Sequence, residues 1–160
     1  MYRNCTTEIS VRHQRQVEAA LLELMGKQPY EDITVTQICQ SAGVTRRIFY
    51  HLFSNKTDAL HALIDQTILG AEGYRPDIAD ETLRFCLYWR EQKPLFDALH
   101  SSNLSNLLLE RMVDCVLSEA YDIRNWLSAF DRDMAKDAVI FNICGAMGLT
   151  YGWYYAGYDR

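Results

Sequence analysis

The stretch from Thr34 to Leu60 constrains the fold of this chain more than any other part of the sequence. Thr34 is followed three residues later by Gln37, a capping-box pattern that predicts the start of a short helix. Gly43 suits the tight, left-handed turn that ends such a helix. Thr45 can cap a second helix directly after the turn. Two short helices joined by a glycine turn predict a helix-turn-helix.

The second of these helices has two chemically different sides. At about 100° per residue, Ile48, Phe49 and Leu52 fall on one apolar side. The opposite side carries positive charge and hydrogen-bonding groups, from Arg46, Arg47, Tyr50 and His51. Arginine can pair with guanine edges, and the other groups can pair with phosphate oxygens. Such a helix fits the major groove of double-stranded DNA, although a solvated surface that binds nothing shows the same pattern.

A set of landmarks runs through residues 33–60: I-T-V, A-G-V-T, a Phe-Tyr pair, a further Phe, and a Lys that opens the next helix. This set resembles the DNA-binding segment of TetR-type (TetR/AcrR) transcriptional regulators. The resemblance implies a three-helix DNA-binding head, a linking helix, and a helical body that binds an effector and dimerises. The family often has His directly before the further Phe, where this chain has Leu52.

The polar side of the second helix and the resemblance together nominate eight residues for contact with DNA. Lys56 lies in the first turn of a helix, where an ammonium group and the helix N-terminus can hold one phosphate. On the first helix, Arg12 and Arg15 are either further phosphate contacts or solvated charges. The nominated set is Thr34, Thr36, Thr45, Arg46, Arg47, Tyr50, His51 and Lys56.

Charge is distributed unevenly along the 160 residues. The formal net charge is −5, yet residues 1–56 carry seven Lys and Arg against five Asp and Glu. Residues 57–160 carry nine against sixteen. A locally basic head on an acidic body directs DNA to one end of the molecule. We therefore expect an all-α fold with a head over residues 1–55 and a body over residues 56–160.

Apolar periodicity predicts helices along the whole chain. The first extends from Ser10 to Met25, and the linking helix begins after Ser54 or Asn55 and ends near Gly70. Further helices are expected over residues 77–92, 94–100, 104–130 and 132–157.

The last of these helices has no charged residue between Ala138 and Tyr158. A transmembrane span is not expected, because polar residues interrupt it and no basic flank sets an orientation. A helix this apolar has to be covered on most sides, and it resembles the dimerisation helix of TetR-like chains. The expected interface with a second copy comprises Ala138, Phe141, Gly145, Gly148, Gly152 and Trp153.

Motifs for catalysis or metal binding do not appear in the sequence. We expect no catalytic residue, no metal and no cofactor. The five cysteines form no CxxC pair, which indicates a reducing, cytoplasmic setting. Four of them lie in apolar helical patterns and are expected to be small buried residues, namely Cys39, Cys86, Cys115 and Cys144.

The body is rich in large aromatic side chains, which form an ordinary helical core or line a ligand pocket. The resemblance favours a pocket for an unidentified small-molecule effector. Its expected lining includes Tyr88, Trp89, His100 and Tyr151.

The sequence thus predicts a cytoplasmic, homodimeric transcriptional regulator, a repressor, acting on a near-palindromic DNA operator and modulated by an effector. One alternative is a helix-turn-helix protein that binds a protein partner, as a coactivator does, without reading bases. Another is a ligand-binding or catalytic helical protein with an incidental head.

Overall fold

The computed structural model describes residues 7–71, 87–118 and 132–157, except for the side chains of Leu69, Ala71, Arg132 and Asp133. Regular structure in these ranges is entirely helical, which confirms the expected all-α class. The elements are α1 (Glu8–Met25), a 3-10 turn (Tyr30–Asp32), α2 (Val35–Ala42), α3 (Arg46–Leu52), α4 (Lys56–Ala71), α5 (Lys93–Ser101), α6 (Ser105–Leu117) and α7 (Arg132–Tyr155). Residues 87–91 are also helical.

Most of the expected helices agree with these bounds. The helix expected over 77–92 is described only at 87–91, and the helix expected over 104–130 only as α6. The remaining residues of both lie outside the described ranges. No helix within those ranges is both long enough and apolar enough to cross a membrane.

The described residues form two compact units. The first contains residues 7–69 together with 94–105, and the second contains the described parts of 70–93 and 106–157. The first unit thus includes residues 56–69 of α4 and residues 94–101 of α5. The physical reason is burial, since α4 contributes Ala59, Leu60, Ala62 and Ile64 to the interior.

Short polar side chains fix the starts of α1, α2 and α3. Reciprocal capping boxes begin α1, between Thr7 and Ser10, and α2, between Thr34 and Gln37. The Thr45 hydroxyl accepts the Ile48 N–H at the start of α3. These bonds satisfy backbone N–H groups that a helix start leaves without partners.

The α4 helix begins in the same way. The Asn55 side chain accepts the Asp58 N–H at 2.9 Å, and the Asp58 carboxylate accepts the Ser54 N–H at 3.1 Å. Asn55, rather than Ser54, is therefore the residue that caps this helix.

The core of the first unit lies where α1 packs across α2 and α3. Its fully buried side chains come from each of these helices and from α4: Val17, Leu21, Ile38, Phe49, Leu60 and Ile64. Burial of a side chain of this size stabilises a fold by about 1.5–3 kcal/mol relative to exposure. The three helices therefore hold one another in place, and α2 and α3 are too short to be stable alone.

The second unit is described mainly by α6 and α7. One side of each helix is buried, with Leu108, Met112 and Val116 on α6 and with Ala135, Val139, Met147 and Thr150 on α7. The Thr150 hydroxyl donates to the Ala146 carbonyl one turn earlier at 2.9 Å, which satisfies the polar group of this buried residue.

The cysteines follow the expectation of burial only in part. Cys39 is buried and Cys115 is half-buried, but Cys144 is exposed. The expectation for Cys144 was wrong because the apolar pattern of α7 covers both its packed and its open side. Cys86 lies outside the described residues.

Gly43 ends α2 with φ = +65°, in the left-handed region. A side chain meets no steric obstacle there, so backbone strain alone opposes substitution. We predict that Gly43→Ala lowers the free energy of unfolding by roughly 1–2 kcal/mol. The control is Gly26→Ala, at a helix end with φ = −72°, which should leave stability nearly unchanged. Urea unfolding of both variants tests this, and equal losses would contradict it.

Glu18 of α1 is a buried carboxyl that accepts a hydrogen bond from the Gln14 amide at 2.7 Å. Burial raises the pKa of Glu18, an effect that Gln14 and Arg15 partly offset and that buried Asp65 reinforces. The folded protein therefore holds this proton more tightly than the unfolded chain does. Stability contributed by the neutral carboxyl is complete below its unfolded pKa and is lost as pH rises through the raised folded pKa.

We predict that Glu18→Gln stabilises the fold at pH 7 and that this gain disappears as pH falls below the ordinary range of a glutamate. Urea unfolding between pH 4 and 8 measures the difference. Glu23→Gln, on the exposed side of the same helix, is the control and should show almost no dependence on pH. A gain for Glu18→Gln that grows toward acid pH would contradict the sign of the shift.

Candidate nucleic-acid interface

The α3 helix presents the two sides that its sequence predicts. Phe49 is 0% exposed and Leu52 is buried, so the apolar side faces the core. Ile48 is half-buried at the edge. The polar side forms one open surface, here called the recognition face, which comprises the exposed residues Arg46, Arg47, Tyr50 and His51.

Aromatic contacts within α3 order part of this face. The Phe49 ring meets the rings of Tyr50 and Phe53 at centroid distances of 5.5 Å each, edge-on in the case of Tyr50. The Arg46 guanidinium carbon lies 5.8 Å from the centre of the Tyr50 ring, a cation–π contact. The buried Phe49 thus anchors Tyr50, and Tyr50 restricts Arg46, before any ligand is present.

A cleft of about 520 Å³ lies between the start of α1 and the recognition face. Its polar lining combines side chains near the start of α1 with cationic and neutral donors from α3. The lining residues are Thr7, Ile9, Ser10, His13, Arg47, Ile48, Tyr50, His51 and Leu52. The arrangement can accept an anionic group of a backbone that passes over α3.

Sequence reasoning missed Thr7, Ser10 and His13 as neighbours of α3. It nominated Arg12 and Arg15 on the same helix, and both are exposed but neither lines this cleft. The T-x-x-S spacing at residues 7–10 was the available signal, because it resembles the capping box that starts α2.

The three nominated threonines differ in their roles. The hydroxyl of Thr34 accepts the Gln37 N–H at 3.2 Å, and the hydroxyl of Thr45 accepts the Ile48 N–H at 3.2 Å. Both act as helix caps and both are exposed. Thr36 is exposed in the first turn of α2.

Lys56 does not have the surroundings expected of a phosphate ligand. Its ammonium group donates to the backbone carbonyls of Tyr30, Glu31 and Ile33 at 2.8, 2.9 and 3.1 Å. An ammonium group has three N–H donors, so these three bonds account for all of them. In the structure, the Lys56 ammonium group is therefore bound to backbone carbonyls.

The four residues expected to line an effector pocket do not all lie in one unit. His100 is exposed on α5 in the first unit, whereas Tyr88, Trp89 and Tyr151 belong to the second. Trp89 is fully buried, with its ring edge-on to Tyr88 at 5.4 Å. Burial raises the pKa of Tyr151 to about 12, with a smaller contribution from Tyr155, so its phenol stays neutral.

Tyr88 also contacts the far end of α4. A side chain at Gly70 would place its Cβ 2.5 Å from the Tyr88 hydroxyl, so Tyr88 would have to shift to make room for it. The three aromatic residues of the second unit are compatible with a ligand site, and Tyr88 connects that region to α4.

The nominated dimer residues divide between two sides of α7. Phe141 is 78% exposed, and a Cβ built at Gly145, Gly148 or Gly152 meets no atom within 4 Å. These four residues follow spacings of four and three, so they share one side of the helix, here called the α7 free face. Ala138 and Trp153 are half-buried at its margins.

Within the described ranges, no group of three or more His, Cys, Asp or Glu side chains is placed so that it could hold a metal ion. Cys39 is the one buried cysteine described. Burial raises the pKa of its thiol, with a smaller opposing effect from Arg46, so the group stays protonated and unreactive.

Comparison with known proteins bears directly on this interface. The family model described as bacterial regulatory proteins, tetR family, matches residues 18–63. The match begins within α1 and includes α2, α3 and the first half of α4, and therefore the whole recognition face. A search of curated proteins finds no match for the chain. Over residues 18–63, the chain is therefore similar to bacterial regulatory proteins of the tetR family.

Proposed function

We propose that the chain is a cytoplasmic, homodimeric repressor that binds a near-palindromic operator and releases it when a small molecule binds the second unit. The recognition face, backed by the buried Phe49, is the observation that carries the proposal. Two such faces related by a two-fold axis can enter successive major grooves about 34–36 Å apart.

Within each groove, Arg46 and Arg47 read base edges, because a guanidinium fork matches guanine O6 and N7. Tyr50 and His51 lie on the same exposed side and donate to phosphate oxygens. Thr34, Thr36 and Thr45 are exposed at the starts of the two helices, where a passing phosphate is within reach of a hydroxyl or a first-turn N–H. The contacts with bases then set the preference for a DNA sequence, and the contacts with phosphates set the position of the protein along the duplex.

The α7 free face supports the proposal of a dimer. It leaves Phe141 largely open to solvent on a helix whose opposite side is packed. Exposed apolar patches on this scale mark interaction sites. The open positions at Gly145, Gly148 and Gly152 allow a second helix to approach closely, and an uncharged surface suits a copy of itself under two-fold symmetry.

The effector is proposed to bind among Tyr88, Trp89 and Tyr151. The Tyr88 contact at Gly70 means that a ligand displacing Tyr88 acts on the end of α4, whose other end adjoins the DNA-binding helices. His100 belongs to the first unit, and we leave it out of this proposed site. A ligand shifts the equilibrium only through unequal affinity for the two conformations.

One rival function keeps the fold but replaces DNA with a protein partner. The exposed arginines favour DNA, because they are cationic and carry planar donors suited to base edges. Salt dependence separates the two functions, since each phosphate contact contributes a slope of about −0.9 to the log–log salt plot.

We predict that Arg46→Ala or Arg47→Ala weakens operator binding by about 1–3 kcal/mol and relaxes specificity at one base pair. Fluorescence anisotropy with an operator selected from random duplexes, and with its single-base variants, measures both effects. Arg90→Ala removes an exposed arginine from the second unit and serves as the control. Equal losses on operator and random DNA in both head variants would show that α3 does not read bases.

We predict that Gly148→Glu converts the dimer into monomers that keep their helical circular dichroism, because the charge is placed on the α7 free face. The matched variant Met147→Glu places the same charge at a buried neighbour and should lower stability instead. Sedimentation velocity with thermal unfolding distinguishes the two. A wild-type chain that sediments as a monomer at micromolar concentration would reject the dimer.

A further inference from the structure

The carbonyl oxygens around the 3-10 turn converge on one cation. Those of Tyr30, Glu31 and Ile33 each accept a hydrogen bond from the Lys56 ammonium group, which also lies 4.4 Å from the centre of the Tyr30 ring. Carbonyls at the end of a helical turn carry partial negative charge, and the Tyr30 carbonyl also accepts the Ile33 N–H within the turn at 3.1 Å. Lys56 satisfies them from outside the turn.

Lys56 is held there against a local electrostatic cost. It is the first residue of α4, where the positive end of the helix dipole disfavours a cation. Three charge-assisted hydrogen bonds and one cation–π contact offset that cost. A phosphate oxygen could accept a hydrogen bond from this group only if one of the carbonyl bonds were broken.

The turn held in this way determines where α2 begins. Ile33 is buried, and its carbonyl accepts from Lys56 one residue before Thr34, the N-cap of α2. The α2 helix in turn positions α3 through the Gly43 turn. A displacement of Ile33 would therefore move the capping box of α2 and the recognition face that follows it.

A residue far along the chain, Ser102, also holds this turn. The Ser102 hydroxyl, which follows α5, accepts the Tyr30 N–H at 3.0 Å. The Tyr30 hydroxyl pairs with the Thr57 hydroxyl at 3.1 Å, next to Lys56. Tyr30 is itself buried, so its backbone and side chain are both fixed.

We propose that Lys56 is a positioning residue for DNA recognition, acting through the backbone carbonyls of Tyr30, Glu31 and Ile33 and not as a ligand of DNA phosphate. Ser102 supports the same turn through the Tyr30 N–H. The proposal rests on the proposed operator binding, since recognition of a specific site is the property that the turn protects.

The test compares Lys56→Arg with the wild type. Arginine keeps the positive charge and binds phosphate well, but its planar fork cannot reproduce a three-way contact from a compact ammonium group. A phosphate ligand would therefore tolerate this change, and the carbonyl contact would not. Lys56→Met removes the charge while keeping a chain of similar length. Lys27→Met removes a charge from an exposed position beyond α1 and is the control.

Fluorescence anisotropy measures the affinity for a selected operator and for a random duplex at salt concentrations from about 50 to 200 mM. Over this range, affinity that depends on phosphate contacts changes strongly with salt. We expect Lys56→Arg and Lys56→Met each to lose about tenfold or more in operator affinity, equivalent to about 1.4 kcal/mol. In both Lys56 variants, the affinity for the random duplex and the salt slope should remain near the wild-type values. In Lys27→Met, the affinities for both duplexes and the salt slope should remain near the wild-type values.

The proposal would be overturned if Lys56→Arg kept wild-type operator affinity and Lys56→Met reduced the slope of the log–log salt plot by about 0.9. That result would indicate a phosphate contact.

Circular dichroism reports whether each variant folds. If the Lys56 variants unfold, Ser102→Ala carries the test, because it removes only the bond to the Tyr30 N–H. It should lower the operator-to-random affinity ratio without changing the slope, and an unchanged ratio would count against the proposal. A wild type with no preference for any duplex would reject operator binding itself.

Discussion

Burial of Phe49 sets the rotation of α3, and the recognition face depends on that rotation. A seven-residue helix is too short to be stable in water by its own hydrogen bonds. Its orientation is fixed because Phe49 is inserted into the core between α1 and α2, while the Thr45 cap and the Gly43 turn fix where it starts. With the apolar side held inward, the cationic side has to face solvent. The exposure of the recognition face is thus a consequence of packing.

Two further features matter for the proposed function: the charge of the N-terminal part of the chain and the α7 free face. Residues 1–56 carry a net positive charge although the whole chain is acidic, and such a local excess of positive charge attracts DNA toward the part of the chain that contains α3. The α7 free face lies in the second unit and is uncharged over the glycine positions. In the proposed regulator, contact with DNA and contact with a second copy therefore involve different units of the chain.

Local patterns predicted the head well, because the responsible contacts lie within a few residues of one another. Gly43, Thr34 and Thr45 each perform the role that their spacing indicates. Lys56 and Ser102 could not be predicted in this way, because their partners in the turn lie 23–26 and 72 residues away in sequence. Helical periodicity also cannot tell a packed side from an open one when both are apolar, which is why Cys144 was placed wrongly.

The most direct test of this account is a hydroxyl-radical footprint of the full chain on a duplex selected from a random library. The account predicts two protected patches on one face of the DNA, with centres about one helical turn, or 10–10.5 base pairs, apart. It also predicts that both patches appear together as protein is added, because the two heads bind as one dimer. A single protected patch, or two patches that fill independently, would contradict it.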